Sequence, residues 1–145
     1  MKFLVLLFAT GFYIGYIPAA PGTFATLMAA GIWWFIPKTY FYILLVMLFL
    51  ISIFVCSKAE EIFGIKDDKR IVIDEYIGYF TAVIFLPKTL FILIASIVLF
   101  RYFDIKKPLF IKSVQKYDGS WGVLADDLIA GIITNIIIRI ILLWK

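Results

Sequence analysis

Two adjacent acidic residues, Asp74 and Glu75, interrupt the otherwise almost wholly apolar stretch RIVIDEYIGYFTAVIF, and a second pair, Asp126 and Asp127, interrupts GVLADDLIAGIITNII. A charged side chain at bilayer mid-depth costs roughly 2.5 to 3.5 kcal/mol on insertion scales, so such pairs need compensation. Both pairs carry a glycine four residues on, Gly78 after Asp74 and Gly131 after Asp127. On a helix that spacing puts the glycine on the carboxylate's own face, one turn deeper, leaving room for a ligand or a neighbouring backbone. Four converging carboxylates repel one another unless some are protonated or cations neutralise them. Oxygen-only ligands favour Mg²⁺, and the absence of histidine argues against most zinc sites. Acidic residues in a first helical turn also have a plainer use, as favourable partners of the helix dipole.

Basic partners come from RYFDIKKP, where Arg101, Asp104 and Lys107 are spaced three apart and so share one helical face. Pro108 discourages helix at Lys107 and places this cluster at a membrane surface. An Arg and a Lys beside metal-binding carboxylates suit a phosphate group. Their bland reading is as ordinary basic anchors. The PGT turn adds a further anion site, a helix N-terminus in which Gly22 precedes the expected N-cap, Thr23.

The elements that must position these groups are helices in a membrane. The 145 residues are 64% hydrophobic and 19% aromatic with a mean hydropathy of +1.05, outside the range of a soluble domain. We expect an all-α, polytopic membrane helix bundle of about four spanning helices plus a short N-terminal re-entrant or interfacial helix, as one domain over 1-145. The N-terminus imitates a signal peptide, but Pro21 after Ala19 and Ala20 suits cleavage poorly, so the segment is expected to be retained. Phe3 to Ile17 is too short to span, and Pro18 and Pro21 break it. A helix follows the PGT turn, with small residues four apart (Ala25 with Ala29, Thr26 with Ala30) that let a neighbour come close. Tyr40 to Ser57, Ile71 to Leu86, Thr89 to Phe103 and Gly122 to Trp144 are the further helices. KAEEIFGIKDDKR and Asp104 to Ser120 form two polar loops, and Pro87 with Lys88 makes a tight turn.

Lys58, Lys66, Lys69 and Arg70 lie in one loop and Arg101, Lys106, Lys107, Lys112 and Lys116 in the other, so the positive-inside rule puts both in the cytoplasm. The excess of 14 basic over 10 acidic residues then reads as attraction to anionic lipid and not to nucleic acid. Cys56, the single cysteine, has no partner for a disulfide and is expected to pack between helices.

PAAPGTFATL, DDKRIVIDEYIG, RYFDIKKP and GSWGVLADDLIAG occur in the order and spacing of the phosphatidylglycerophosphatase A family, which the chain resembles over nearly its whole length. The matching positions are Gly15, Pro18, Pro21, Gly22 and Thr23; Asp67, Asp74, Glu75 and Gly78; Arg101, Asp104, Lys107 and Pro108; and Gly122, Asp126, Asp127 and Gly131. Departures fall at Ala25 and Thr26, where the family commonly has Gly-Ser, and at Ser120 and Leu124, where Gly and Met are usual; they touch packing more than charge. The resemblance implies a Mg²⁺-dependent lipid phosphatase of the bacterial inner membrane that converts phosphatidylglycerophosphate to phosphatidylglycerol and phosphate. It implies metal ligation by Asp67, Asp74, Glu75, Asp126 and Asp127, with Asp104 among the catalytic carboxylates. Gly22, Thr23, Arg101 and Lys107 would hold the phosphate.

Other phosphatase chemistries fail on composition. A phosphohistidine route needs His, a Cys-based route needs Arg six residues after Cys56, and the aspartyl-phosphate DxD motif is absent. Metal-assisted hydrolysis remains, with either water or an aspartate as the attacking group. A different class of reading, a small cation transporter or channel subunit, would use the acidic pairs as an ion path.

Overall fold

A computed structural model describes residues 1–107 and 120–144, the side chains of 120–123 excepted, and these residues are all-helical, without strands. Helix α1 (Lys2–Ala9) stops at Thr10, whose hydroxyl donates to the Leu6 carbonyl at 2.8 Å. The segment expected to run from Phe3 to Ile17 is therefore broken midway. Gly11 takes a positive φ of 54°, and a Cβ there would lie 2.8 Å from the Tyr76 ring. A single turn of 3₁₀ helix (Ile14–Tyr16) follows, and Gly15 packs so closely on the Arg70 backbone that no Cβ fits.

Helix α2 (Pro21–Phe35) starts three residues before the position expected with Thr23 as N-cap. Proline is preorganised for the first position of a helix, and Ala20, in the left-handed region at φ 51°, takes the N-cap instead. Thr23 lies inside the first turn, with its N–H donating to the Ala20 carbonyl at 3.0 Å. Helix α3 (Lys38–Phe63) absorbs Lys58 to Phe63, the expected start of a polar loop, because nothing breaks the helix before Gly64 at φ 68° and Lys58 pairs with Glu61 at 3.2 Å. Among the described residues it is the one helix long and apolar enough to cross a membrane.

Helix α4 (Ile73–Val83) is shorter than the expected Ile71 to Leu86. Its 11 residues span about 16 Å, roughly half a hydrocarbon core, so the four-span count does not follow from helix lengths. Helix α5 (Leu90–Lys106) is capped by Thr89, whose hydroxyl accepts from Ile92 N–H at 3.3 Å. It continues past Asp104, which was expected to open the second polar loop, and stops at Lys107 with φ 40°. Helix α6 (Ser120–Leu143) is the last. Pro108, Lys112 and Lys116 lie outside the described residues.

Helix α4 is central and packs on α2, α3, α5 and α6. Its crossing with α6 is set by the two motif glycines. A Cβ on Gly131 would strike the Gly78 carbonyl, and one on Gly78 would lie 2.7 Å from the Asp127 carbonyl and 2.8 Å from the Phe100 ring. Of the two uses that the spacing allowed, the neighbouring backbone takes the space. Ala25, Ala29, Thr26 and Ala30 are buried, and α2 packs on α4. Cys56 is buried, as expected.

Candidate active site

The glycine crossing brings the first turns of α4 and α6 together and with them both acidic pairs. Asp74, Glu75 and Asp127 can each offer an oxygen to one point, these atoms lying within 4.8 Å of one another. At an effective dielectric of ~20, each ionised pair at that separation repels by about 3 kcal/mol or more, so three bare charges need a counter-charge or protons. Asp74 and Asp127 are buried and Glu75 is half-buried. Glu75 Oε2 is buried without a hydrogen-bond partner among the described residues, an acceptor left with capacity for a cation. The all-oxygen set with spare acceptors fits Mg²⁺.

The trio forms part of the wall of a cavity of about 220 Å³, which Ala20, Pro21 and Gly22 of α2 and Arg101, Asp104 and Lys107 of α5 also line. Gly22 leaves room for these side-chain ends, because a Cβ there would collide with Glu75 Oε1 and lie 3.1 Å from Arg101 Nη1, and both side chains would have to shift. Arg101 Nη1 stands 2.5 Å from Asp104 Oδ2 and Lys107 Nζ 2.5 Å from Asp126 Oδ2. Burial would lower the Lys107 pKa, but the bond to Asp126 and the charges of Asp126, Asp127 and Asp104 outweigh it and hold the ammonium above its ordinary range.

Asp67 also lines the cavity, in the left-handed region at φ 53°, with its N–H donating to Glu60 Oε1 at 2.7 Å. Desolvation raises its pKa against the pull of Lys107. Of the five residues expected to ligate metal, three thus converge, Asp126 engages Lys107, and Asp67 stands on the loop side of the wall. Thr23 is not among the lining residues, whereas Gly22 is. Lys69 is, too, although its type and spacing gave it only an orienting role in the sequence.

The cavity thus sets carboxylates that can hold a cation against an Arg and a Lys that can hold an anion, the two halves of a phosphoryl-transfer site. The comparisons agree. The chain matches the phosphatidylglycerophosphatase A family over residues 7–142 and belongs to that family, and it is a phosphatase. It is 36% identical to a Bacteroides thetaiotaomicron protein provisionally named a phosphatidylinositol-3-phosphatase, over 96% of this chain and 94% of that one. It is 31% identical to the phosphatidylglycerophosphatase A of Haemophilus influenzae, over 95% of this chain and 88% of that protein. The Escherichia coli phosphatidylglycerophosphatase A is also 31% identical, over 88% of this chain and 77% of that one. No solved structure matches. The transporter reading finds no support in these relatives.

Proposed function

We propose that the protein is a Mg²⁺-dependent phosphatase that hydrolyses phosphatidylglycerophosphate to phosphatidylglycerol and phosphate, from a multi-pass bundle in the bacterial inner membrane with its site facing the cytoplasm. The observation that carries this reading is the convergence of Asp74, Glu75 and Asp127 opposite Arg101 and Lys107 in one cavity. In hydrolysis the bond from phosphorus to the glycerol oxygen breaks, that oxygen takes a proton, and phosphate leaves with a hydroxyl derived from water. Arg101 and Lys107 bind the non-bridging phosphoryl oxygens, and Asp104 and Asp126 fix those two cations in place. Glu75 Oε2, a buried carboxylate oxygen without a hydrogen-bond partner among the described residues, is placed to hold a proton. Bound Mg²⁺, held by Asp74, Glu75 and Asp127, would polarise the phosphoryl oxygens.

The Bacteroides relative's name favours a second lipid, phosphatidylinositol 3-phosphate, whose reacting group is also a phosphomonoester on a lipid headgroup. Phosphate release by the purified protein from each lipid, with Mg²⁺ and with EDTA, tests both. Release from phosphatidylglycerophosphate that stops in EDTA and returns with Mg²⁺ is expected. Full turnover in chelator would overturn the metal assignment, and release only from the inositol lipid would reassign the substrate.

A further inference from the structure

Three cations line the acidic cavity, and they are not equivalent. Arg101 and Lys107 face Asp104 and Asp126. Lys69 is exposed and has no ion pair or hydrogen bond among the described residues. Its backbone, in contrast, is pinned on both sides. The Asp67 N–H is held by Glu60, and the Arg70 N–H donates to Asp68 Oδ1 at 2.9 Å. The Arg70 guanidinium closes on the same Asp68 at 2.8 and 2.6 Å and lies 3.8 Å over the Phe63 ring. A fixed loop therefore presents an ammonium that is not hydrogen-bonded or ion-paired among the described residues.

Lys69 and Pro21 also line a second cavity, of about 190 Å³, completed by Gly15, Tyr16, Ile17, Pro18 and Arg70. The two cavities thus adjoin at Lys69. Both candidate substrates share one chemical pattern: a phosphomonoester joined through a single polyol, glycerol or inositol, to a phosphodiester that carries the diacylglycerol. With the monoester among Arg101, Lys107 and the carboxylates, the diester lies one polyol away. The adjoining cavity offers it a cation that, among the described residues, has no hydrogen bond or ion pair and only the longer-range field of Asp68 beside it.

We propose that Lys69 binds this phosphodiester and so selects headgroup phosphates over a phosphate esterified directly to diacylglycerol. The inference rests on the lipid-phosphatase reading and makes Lys69 a specificity-determining residue of that site. Phosphatidic acid separates the possibilities, because it has the monoester and lacks the diester. Mixed-micelle kinetics of the full-length protein on phosphatidylglycerophosphate and on phosphatidic acid, for wild type, Lys69→Met and Lys69→Arg, read the effect.

Lys69→Met is expected to raise KM for phosphatidylglycerophosphate about tenfold, the loss of one charge-assisted contact, with kcat within about twofold and with phosphatidic acid unaffected. Lys69→Arg should restore KM. Product inhibition by phosphatidylglycerol, which has the diester without the monoester, should weaken in parallel, and it decides the matter if phosphatidic acid is not turned over. Equal losses on both lipids, or a fall in kcat, would place Lys69 on the monoester and overturn the proposal, as would unchanged kinetics. A wild-type protein that releases no phosphate from phosphatidylglycerophosphate would instead fail the functional reading beneath it.

Discussion

The two ends of the helix bundle treat their polar groups differently. At the ends of α2 and α4, polar side chains are engaged by backbone. Lys88 donates to the carbonyls of Trp34, at 3.2 Å, and Ile36, while Asn135 Nδ2 donates to those of Ala82 and Ile84 at 2.9 and 3.0 Å. Arg139 holds Asn135 Oδ1 at 2.7 Å and reaches the Ile84 carbonyl at 3.2 Å. These are helix C-termini, whose last carbonyls have no partner within the helix. At the starts of α4 and α6 and the end of α5, side-chain charges instead meet one another, and Glu75 Oε2 and Arg101 Nε keep no hydrogen-bond partner among the described residues. Polar groups used up by the backbone stabilise a fold; polar groups with capacity left over can take a ligand.

The two ends differ most at the carboxylates. Asp74→Asn and Asp127→Asn keep the shape of the side chain and remove its charge. They should lower phosphate release by at least ~10³-fold while the protein still inserts and folds, because each ~1.4 kcal/mol of lost charge stabilisation is a factor of ten. If the pairs only ended helices, Asn would cap nearly as well as Asp and activity would fall less than about tenfold. Near wild-type release from folded variants would remove the site altogether.

Gly131→Ala attacks the crossing that creates the site. Its methyl group would collide with the Gly78 carbonyl, so α4 and α6 must separate. Overpacking of this kind costs about 1 to 3 kcal/mol. Thermal unfolding in detergent should fall accordingly, and activity should fall about tenfold or more, since the trio draws oxygens from both helices. A variant with lowered stability but full specific activity would show that the carboxylates need no such close approach.

These two tests fall on features that were legible in the sequence, and for a physical reason: each is local. The four-residue spacing from Asp74 to Gly78 and from Asp127 to Gly131 fixes a shared face once the segment is helical, whereas α5 runs three residues beyond the Phe103 end expected, although Pro108 disfavours helix at Lys107. What could not be read depended on distant partners or on competition between local signals. Pro21 and Thr23 both mark helix starts, and the proline prevailed. Lys58 to Phe63 is polar enough for a loop yet has no breaker before Gly64. The short extent of α4 reflects carbonyls captured by Asn135, 51 to 53 residues away in the chain. Lys69 gains its place only because the turn around Gly15 folds onto the loop at Arg70.

Asn135→Ala tests the other end. It leaves the carbonyls of Ala82 and Ile84 without the Asn135 amide, at a cost of about 1 to 3 kcal/mol for buried groups, although Arg139 can still reach Ile84. Stability should drop while specific activity of the folded protein stays within about twofold. A large loss of kcat without a loss of stability would dissolve the distinction between the two ends.

The smallest effect concerns the backbone around the cavity. Ala20, Asp67 and Lys107 all adopt positive φ, at 51°, 53° and 40°, and all three line the same cavity. Such conformations persist only where the surroundings enforce them, and they gather at functional sites. Ala20 is the informative one, because its methyl group has no chemistry to lose. An L residue in the left-handed region costs roughly 1 to 2 kcal/mol, whereas glycine there costs little but adds about 0.4 to 1 kcal/mol of unfolded-state entropy. Ala20→Gly should therefore raise stability by up to about 1 kcal/mol, seen as a small upward shift of the melting temperature, with KM for the lipid unchanged. If stability rises but KM rises with it, the strained N-cap is holding Pro21 and Gly22 in place against Glu75 and Arg101, and the strain serves the site. If stability falls, the contacts of the Ala20 methyl group outweigh its strain, and its backbone conformation belongs with the fold-bearing end of the comparison.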